Sequence, residues 1–124
     1  MGEYFNIFEY TASYWKNSSK AMAALSSDNH VIYLHVLQPN QFWKSASGEY
    51  TPLDQNYMYK GVIPLINNGY PELAKKIYYL KIAGVEKFDA TQVFKKMSLK
   101  EIFIDDSCRY TDVGNQIVIS EIAK

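Results

Sequence analysis

Cysteine occurs once in this chain of 124 residues, at Cys108, and arginine once, at Arg109. A lone thiol excludes an internal disulfide and the zinc sites built from several cysteines. Histidine is almost as scarce, with His30 and His35 the only imidazoles that could serve as a base. Charge of either sign is not in excess: thirteen Lys and Arg balance thirteen Asp and Glu, and no basic stripe or like-charge block stands out. That balance argues against a surface tracking nucleic-acid phosphates. Long apolar runs are missing as well, so no membrane span is expected. Met1 to Ala12 mixes Glu3, Asn6 and Glu9 with aromatics, unlike the basic start and apolar run of a signal peptide.

What is abundant is apolar and aromatic material, 48% hydrophobic and 15% aromatic residues. This composition and length suit one core, and residues 1–124 are expected to form a single domain. Between Phe8 and Leu25, the positions Tyr14, Ser18, Ala21, Met22 and Leu25 follow steps of three and four, predicting one face of a helix. Ser26 to Asn29 should end it in a loop. The run Val31 to Leu37 is apolar at nearly every position, predicting a strand covered on both faces in a parallel sheet and stopped by Pro39.

Gln38 to Thr51 reads as a loop leaving that strand. A helical segment is expected from Pro52, Leu53 and Asp54 to Leu65, broken by Asn67, Asn68 and Gly69. Pro71 should open the next helix, with Leu73, Ile77 and Leu80 on one face and Gly84 as C-cap. An extended piece near Lys87 to Ala90, a turn at Lys95 to Leu99, and a strand from Glu101 to Asp105 follow. A last helix carries Ile117, Val118, Ile119 and Ile122. The order of elements belongs to the α/β class.

The stretch from Ile102 to Asn115, with Asp105, Asp106, Ser107, Cys108, Arg109, Tyr110 and Thr111 leading to Gly114 and Asn115, resembles the last block of the GDSL-type (SGNH) ester hydrolases. There Asp-x-x-His is followed by an aromatic or apolar residue, Thr or Asn, and a Gly-Asn pair. Asp106 falls on the aspartate position and Arg109 on the histidine position. Trp15 to Met22 and Tyr33 to Gln41 are similar to the helix and strand preceding that block, and Phe88, Asp89, Val93 and Phe94 to the stretch before the final strand. The resemblance implies a partial flavodoxin-like fold of three layers, a parallel sheet flanked by helices, no cofactor, and small acyl esters as substrates.

The Gly-Asp-Ser block and the glycine and asparagine blocks of the family's oxyanion hole have no counterpart here, and no Gly-x-Ser-x-Gly elbow replaces them. A serine nucleophile needs a neutral imidazole to take its proton. Arg109 stays protonated and cannot act as that base. The chain is therefore expected to be inactive alone, as the C-terminal half of such a hydrolase, with an ion pair between Asp106 and Arg109 standing in for the catalytic contact. Asp105 and Asp106 read equally well as a solvated turn capping the last helix. Cys108, though beside Arg109, lacks a base and is expected to be inert. His30 and His35 are expected to be structural.

Loops at the C-terminal ends of parallel strands line ligand crevices, which makes Gln38, Asn40 and Trp43 the candidate substrate contacts. The alternative expectation is a non-catalytic binding or assembly module, pairing through an exposed sheet edge or the loop near Trp43, with self-association as the consequence.

Overall fold

The computed structural model describes residues 6–43, 61–95, 97–104 and 109–124. Over them run helix α1 (Ile7–Asp28), strand β1 (His35–Leu37), helix α2 (Val62–Ile82), strand β2 (Lys87–Asp89), the short helix α3 (Leu99–Ile102) and helix α4 (Asp112–Ile122). The chain is thus mixed α/β. The two strands form a two-stranded sheet. The His35 N–H donates to the Glu86 carbonyl and the Ala90 N–H to the Leu37 carbonyl, both at 2.9 Å, a register in which both strands advance together and so run parallel. The chain forms two compact units, Met1–Val36 with Asn68–Phe88, and Leu37–Asn67 with Asp89–Lys124.

In the first unit, the Asn6 side chain caps α1 by accepting from the Phe8 and Glu9 N–H groups, and Glu9 places a negative charge in the first turn. The helix continues through Ser26, Ser27 and Asp28, which were expected to be loop. It closes at His30, whose φ of 57° lies in the left-handed region. The His30 N–H bonds Ser27 and the Val31 N–H bonds Ser26, the paired bonds of a Schellman cap. The same motif closes α2: Gly84, at φ 76°, bonds Lys81, and Val85 bonds Leu80. The expected glycine cap is therefore present, and His30 fills the equivalent place in α1.

The buried face of α1 differs from the one the periodicity indicates. Ala12 and Ser19 are buried and Trp15 half-buried, whereas Tyr14 and Leu25 are each 60% exposed. The strand expected over Val31 to Leu37 is also shorter. The Val31 N–H is taken by the cap of α1, Ile32 is 93% exposed, and pairing begins only at His35 because β2 offers a partner only three residues long.

No break occurs at Asn67 to Gly69, and Pro71 lies inside α2 rather than opening a helix. Pro71 has no N–H to offer the Asn67 carbonyl, yet burial of Tyr70, Ile77 and Leu80 holds the helix through this region. Gly69 faces Phe8 at ordinary contact distance, and Lys76 pairs with Glu9 at 3.6 Å. The expected helix start at Pro52 to Asp54 lies outside the described residues.

The second unit is centred on Phe94, Ile102 and Phe103, with Val93, Tyr110, Ile117 and Val118 packed against them. The rings of Phe94, Phe103 and Tyr110 meet edge to face, their centroids 5.3 to 5.7 Å apart. The strand expected at Glu101 to Asp105 is not formed: Glu101 and Ile102 end α3, Phe103 makes a single antiparallel bridge with Tyr110, and Asp105 lies outside the described residues. The Thr111 N–H donates to the Ile102 carbonyl and the Ile104 N–H to the Arg109 carbonyl, one bond on either side of that bridge. Thr111 then caps α4, accepting from the Gly114 N–H while donating to the Glu101 carbonyl.

Candidate functional site

The residues singled out from the sequence divide between two places. Asp106 lies outside the described residues, and with it the expected ion pair to Arg109. Arg109 is exposed, and its carbonyl accepts from Ile104. In the loop after β1, Gln38 is exposed, while Asn40 and Trp43 are half-buried around the buried Gln41 and Phe42. The Asn40 side chain accepts from the Phe42 N–H at 2.9 Å and its carbonyl from the Trp43 N–H at 3.2 Å. Asn40 therefore shapes a turn by bonding its own backbone two residues on.

The Tyr110 hydroxyl donates to the Pro39 carbonyl at 2.7 Å. This bond joins residues 71 positions apart and sets the Gln38 to Trp43 turn beside the Arg109 to Thr111 segment. Two regions chosen separately from the sequence thus meet in one unit. Among the described residues no group of three or more His, Cys, Asp or Glu side chains is placed to hold a metal ion, and no helix is long and apolar enough to cross a membrane.

A second cluster lies in the first unit and was missed by sequence reasoning. Ser19 Oγ stands 2.7 Å from His35 Nδ1, and the Tyr33 hydroxyl lies 3.2 Å from both atoms. The Trp15 ring meets the imidazole edge-on at a centroid distance of 4.3 Å. Burial lowers the His35 pKa below its ordinary 6.5, because the imidazolium loses hydration there.

No protein family, curated protein or solved structure matches the chain.

The chemistry of the two clusters must therefore be judged on geometry. A serine hydrogen-bonded to a neutral imidazole is the first requirement of a nucleophile. Ser19, however, is only 3% exposed and shares its bond with the Tyr33 phenol. An acyl carbon has no approach to that oxygen, and the cluster acts as a polar joint inside the unit. Its signal in the sequence was the spacing of Trp15 and Ser19 on one helical face, opposite Tyr33 and His35 at alternate positions of an extended segment.

The outer face of α1 is of a different kind. Ile7, Tyr10, Tyr14, Met22 and Leu25 are all exposed and follow each other at helical spacing, and the exposed Val31 and Ile32 come directly after the helix. The Tyr10 hydroxyl donates to that of Tyr14 at 3.0 Å, with the rings edge to face at 4.8 Å. This bond and partial desolvation raise the Tyr10 pKa.

Proposed function

We propose that this chain is a non-catalytic assembly module that pairs with a second copy of itself through the outer face of α1. The observation that carries the reading is that stripe of exposed apolar side chains. Contiguous apolar surface of this sort marks association sites, and hydrogen-bonded tyrosines make rigid anchors that lose little side-chain freedom on binding.

The stripe is self-complementary. An antiparallel pairing of two α1 helices about the midpoint between Asn17 and Ser18 sets Tyr10 against Leu25 and Tyr14 against Ala21, large side chains opposite smaller ones. It also opposes the two helix dipoles. The balanced charge of thirteen basic and thirteen acidic residues leaves no net repulsion between copies. Sheet-edge pairing, one of the two routes expected from the sequence beside the loop near Trp43, has less to work with, because β1 and β2 are three residues each.

Sedimentation analysis tests the proposal. The chain should form a dimer, and Leu25→Lys or Met22→Lys should return it to monomer with helical content intact. A chain that stays monomeric up to about 1 mM, where association is worth only about −4 kcal/mol, sinks it.

The contact between Tyr110 and Pro39 favours a second reading, an SGNH-like ester-hydrolase segment. It sets Gln38, Asn40 and Trp43 in the same unit as Arg109. In that reading Asp106 supplies the acid position and Arg109 the histidine position. A partial flavodoxin-like sheet would take strands beyond β1 and β2, and an upstream half would bring the serine and complete a site for a small acyl ester. Intact-mass analysis after fluorophosphonate treatment is expected to show no adduct on this chain, and labelling of a longer version carrying an upstream Gly-Asp-Ser block would establish the hydrolase origin.

A further inference from the structure

We propose that the cluster of Ser19, Tyr33, His35 and Trp15 is an acid-sensitive latch, in which protonation of His35 releases the Tyr33 to Val36 segment from α1. The latch does not depend on how the outer face of α1 is used.

The geometry rests on the two ring nitrogens. Nδ1 is served by two hydroxyls, Ser19 at 2.7 Å and Tyr33 at 3.2 Å. Nε2 is buried and has no hydrogen-bond partner among the described residues. A neutral imidazole tolerates this arrangement, since only one nitrogen carries a proton and the hydroxyls can turn to suit Nδ1. An imidazolium carries protons on both. Its Nδ1–H must donate to Ser19 or Tyr33, and its Nε2–H points into a site with no acceptor, leaving a charged donor buried and unmet.

Among the described residues, no charged side chain is bonded to the ring. From α1 the ring meets Trp15 and Ser19, and from its own segment Tyr33; on the β2 side, the Glu86 carbonyl accepts the His35 main-chain N–H. The Tyr33 phenol is, among the described residues, the one titratable group bonded to the ring. Among the described residues, none of the charged side chains on these elements, Glu9, Lys16, Lys20 and Asp28 on α1, Glu86 just before β2, and Lys87 and Asp89 on β2, forms an ion pair with His35. Burial accordingly holds the imidazole neutral below its usual range. Acid therefore acts on one joint, between the inner face of α1 and the segment leading into the sheet.

Two-dimensional NMR titration of the whole chain tests the latch. With only two histidines present, His30→Asn identifies the His35 ring signals, and Asn suits the left-handed backbone at position 30. The His35 midpoint should fall below 6.5, and the Trp15 indole and Tyr33 ring signals should shift with that same midpoint. His35→Asn, which can keep the bond to Ser19 but cannot titrate, should abolish the shift at Trp15. A His35 midpoint at or above 6.5 overturns the proposal, as does titration with Trp15 and Tyr33 unmoved or a Trp15 transition that persists in His35→Asn. Should that variant fail to fold, the wild-type titration alone decides, since it reads midpoint and coupling together.

Discussion

Replacing Gly114 by alanine gives the sharpest test of how the second unit is built. Gly114 sits in the first turn of α4, where alanine is ordinarily favoured over glycine by up to about 1 kcal/mol. Here a Cβ would lie 2.7 Å from the Ile102 carbonyl oxygen, 3.1 Å from Tyr110 Cβ and 3.2 Å from Ile102 Cγ2. The nearest atom is backbone, and that carbonyl already accepts the Thr111 N–H at 2.7 Å. Relief requires α4 to move off α3, weakening this bond and the cap that Thr111 makes. Overpacking costs about 1 to 3 kcal/mol and a weakened hydrogen bond about 1 more. Set against the helix-propensity gain, the net loss is about 2 kcal/mol, or roughly 8 °C in Tm for a chain of this size.

Gly69→Ala in α2 is the matched control, because its Cβ would meet only Phe8 at 3.5 Å and should be neutral or stabilising. Urea and thermal unfolding followed by circular dichroism compare the two. Equal or increased stability in Gly114→Ala would show that α3 and α4 do not approach as described.

The two Schellman caps give a paired prediction. His30→Gly should stabilise the chain by about 0.5 kcal/mol, the relief of left-handed strain exceeding the added freedom of the unfolded chain, whereas Gly84→Ala should cost about 1 kcal/mol even though nothing lies within 4 Å of its Cβ; denaturant midpoints check both. Tyr110→Phe should lose about 1 kcal/mol by leaving the Pro39 carbonyl without its donor, a change visible in the urea midpoint and absent if the hydroxyl instead faces water. Stability should also fall on acidification. Above pH 6.5 neither state protonates His35, so its contribution is complete. Below that the unfolded chain binds a proton the folded chain resists, and stability declines until the lowered folded pKa is passed. Unfolding free energies measured across this window should lose that slope in His35→Asn.

Much of the helical architecture was legible in the sequence because helix signals are local. The spacing of Leu73, Ile77 and Leu80, Gly84 at a C-cap, and the apolar run at Ile117 to Ile122 each act within a turn or two of chain. The α/β class followed from the same local reading. Tertiary packing decided the rest. A strand exists only where a neighbour supplies its hydrogen bonds, so Val31 to Leu34, as apolar as any strand, stay outside the sheet for want of a longer β2. Glu101 and Ile102 end a helix for the same reason, with Phe103 left to a single bridge. The expected breakers Asn67, Asn68 and Gly69, and Pro71 as the expected opener of a new helix, lost to the burial of Tyr70, Ile77 and Leu80. Which face of α1 turned inward was also beyond periodicity, because large apolar groups marked one face while Ala12, Trp15 and Ser19 found partners on the other. Ser19 and His35 lie sixteen positions apart, and only the fold sets a hydroxyl 2.7 Å from an imidazole. Local preferences are written residue by residue, but a partner across the fold is supplied by distant chain, and that is what the tertiary structure alone determines.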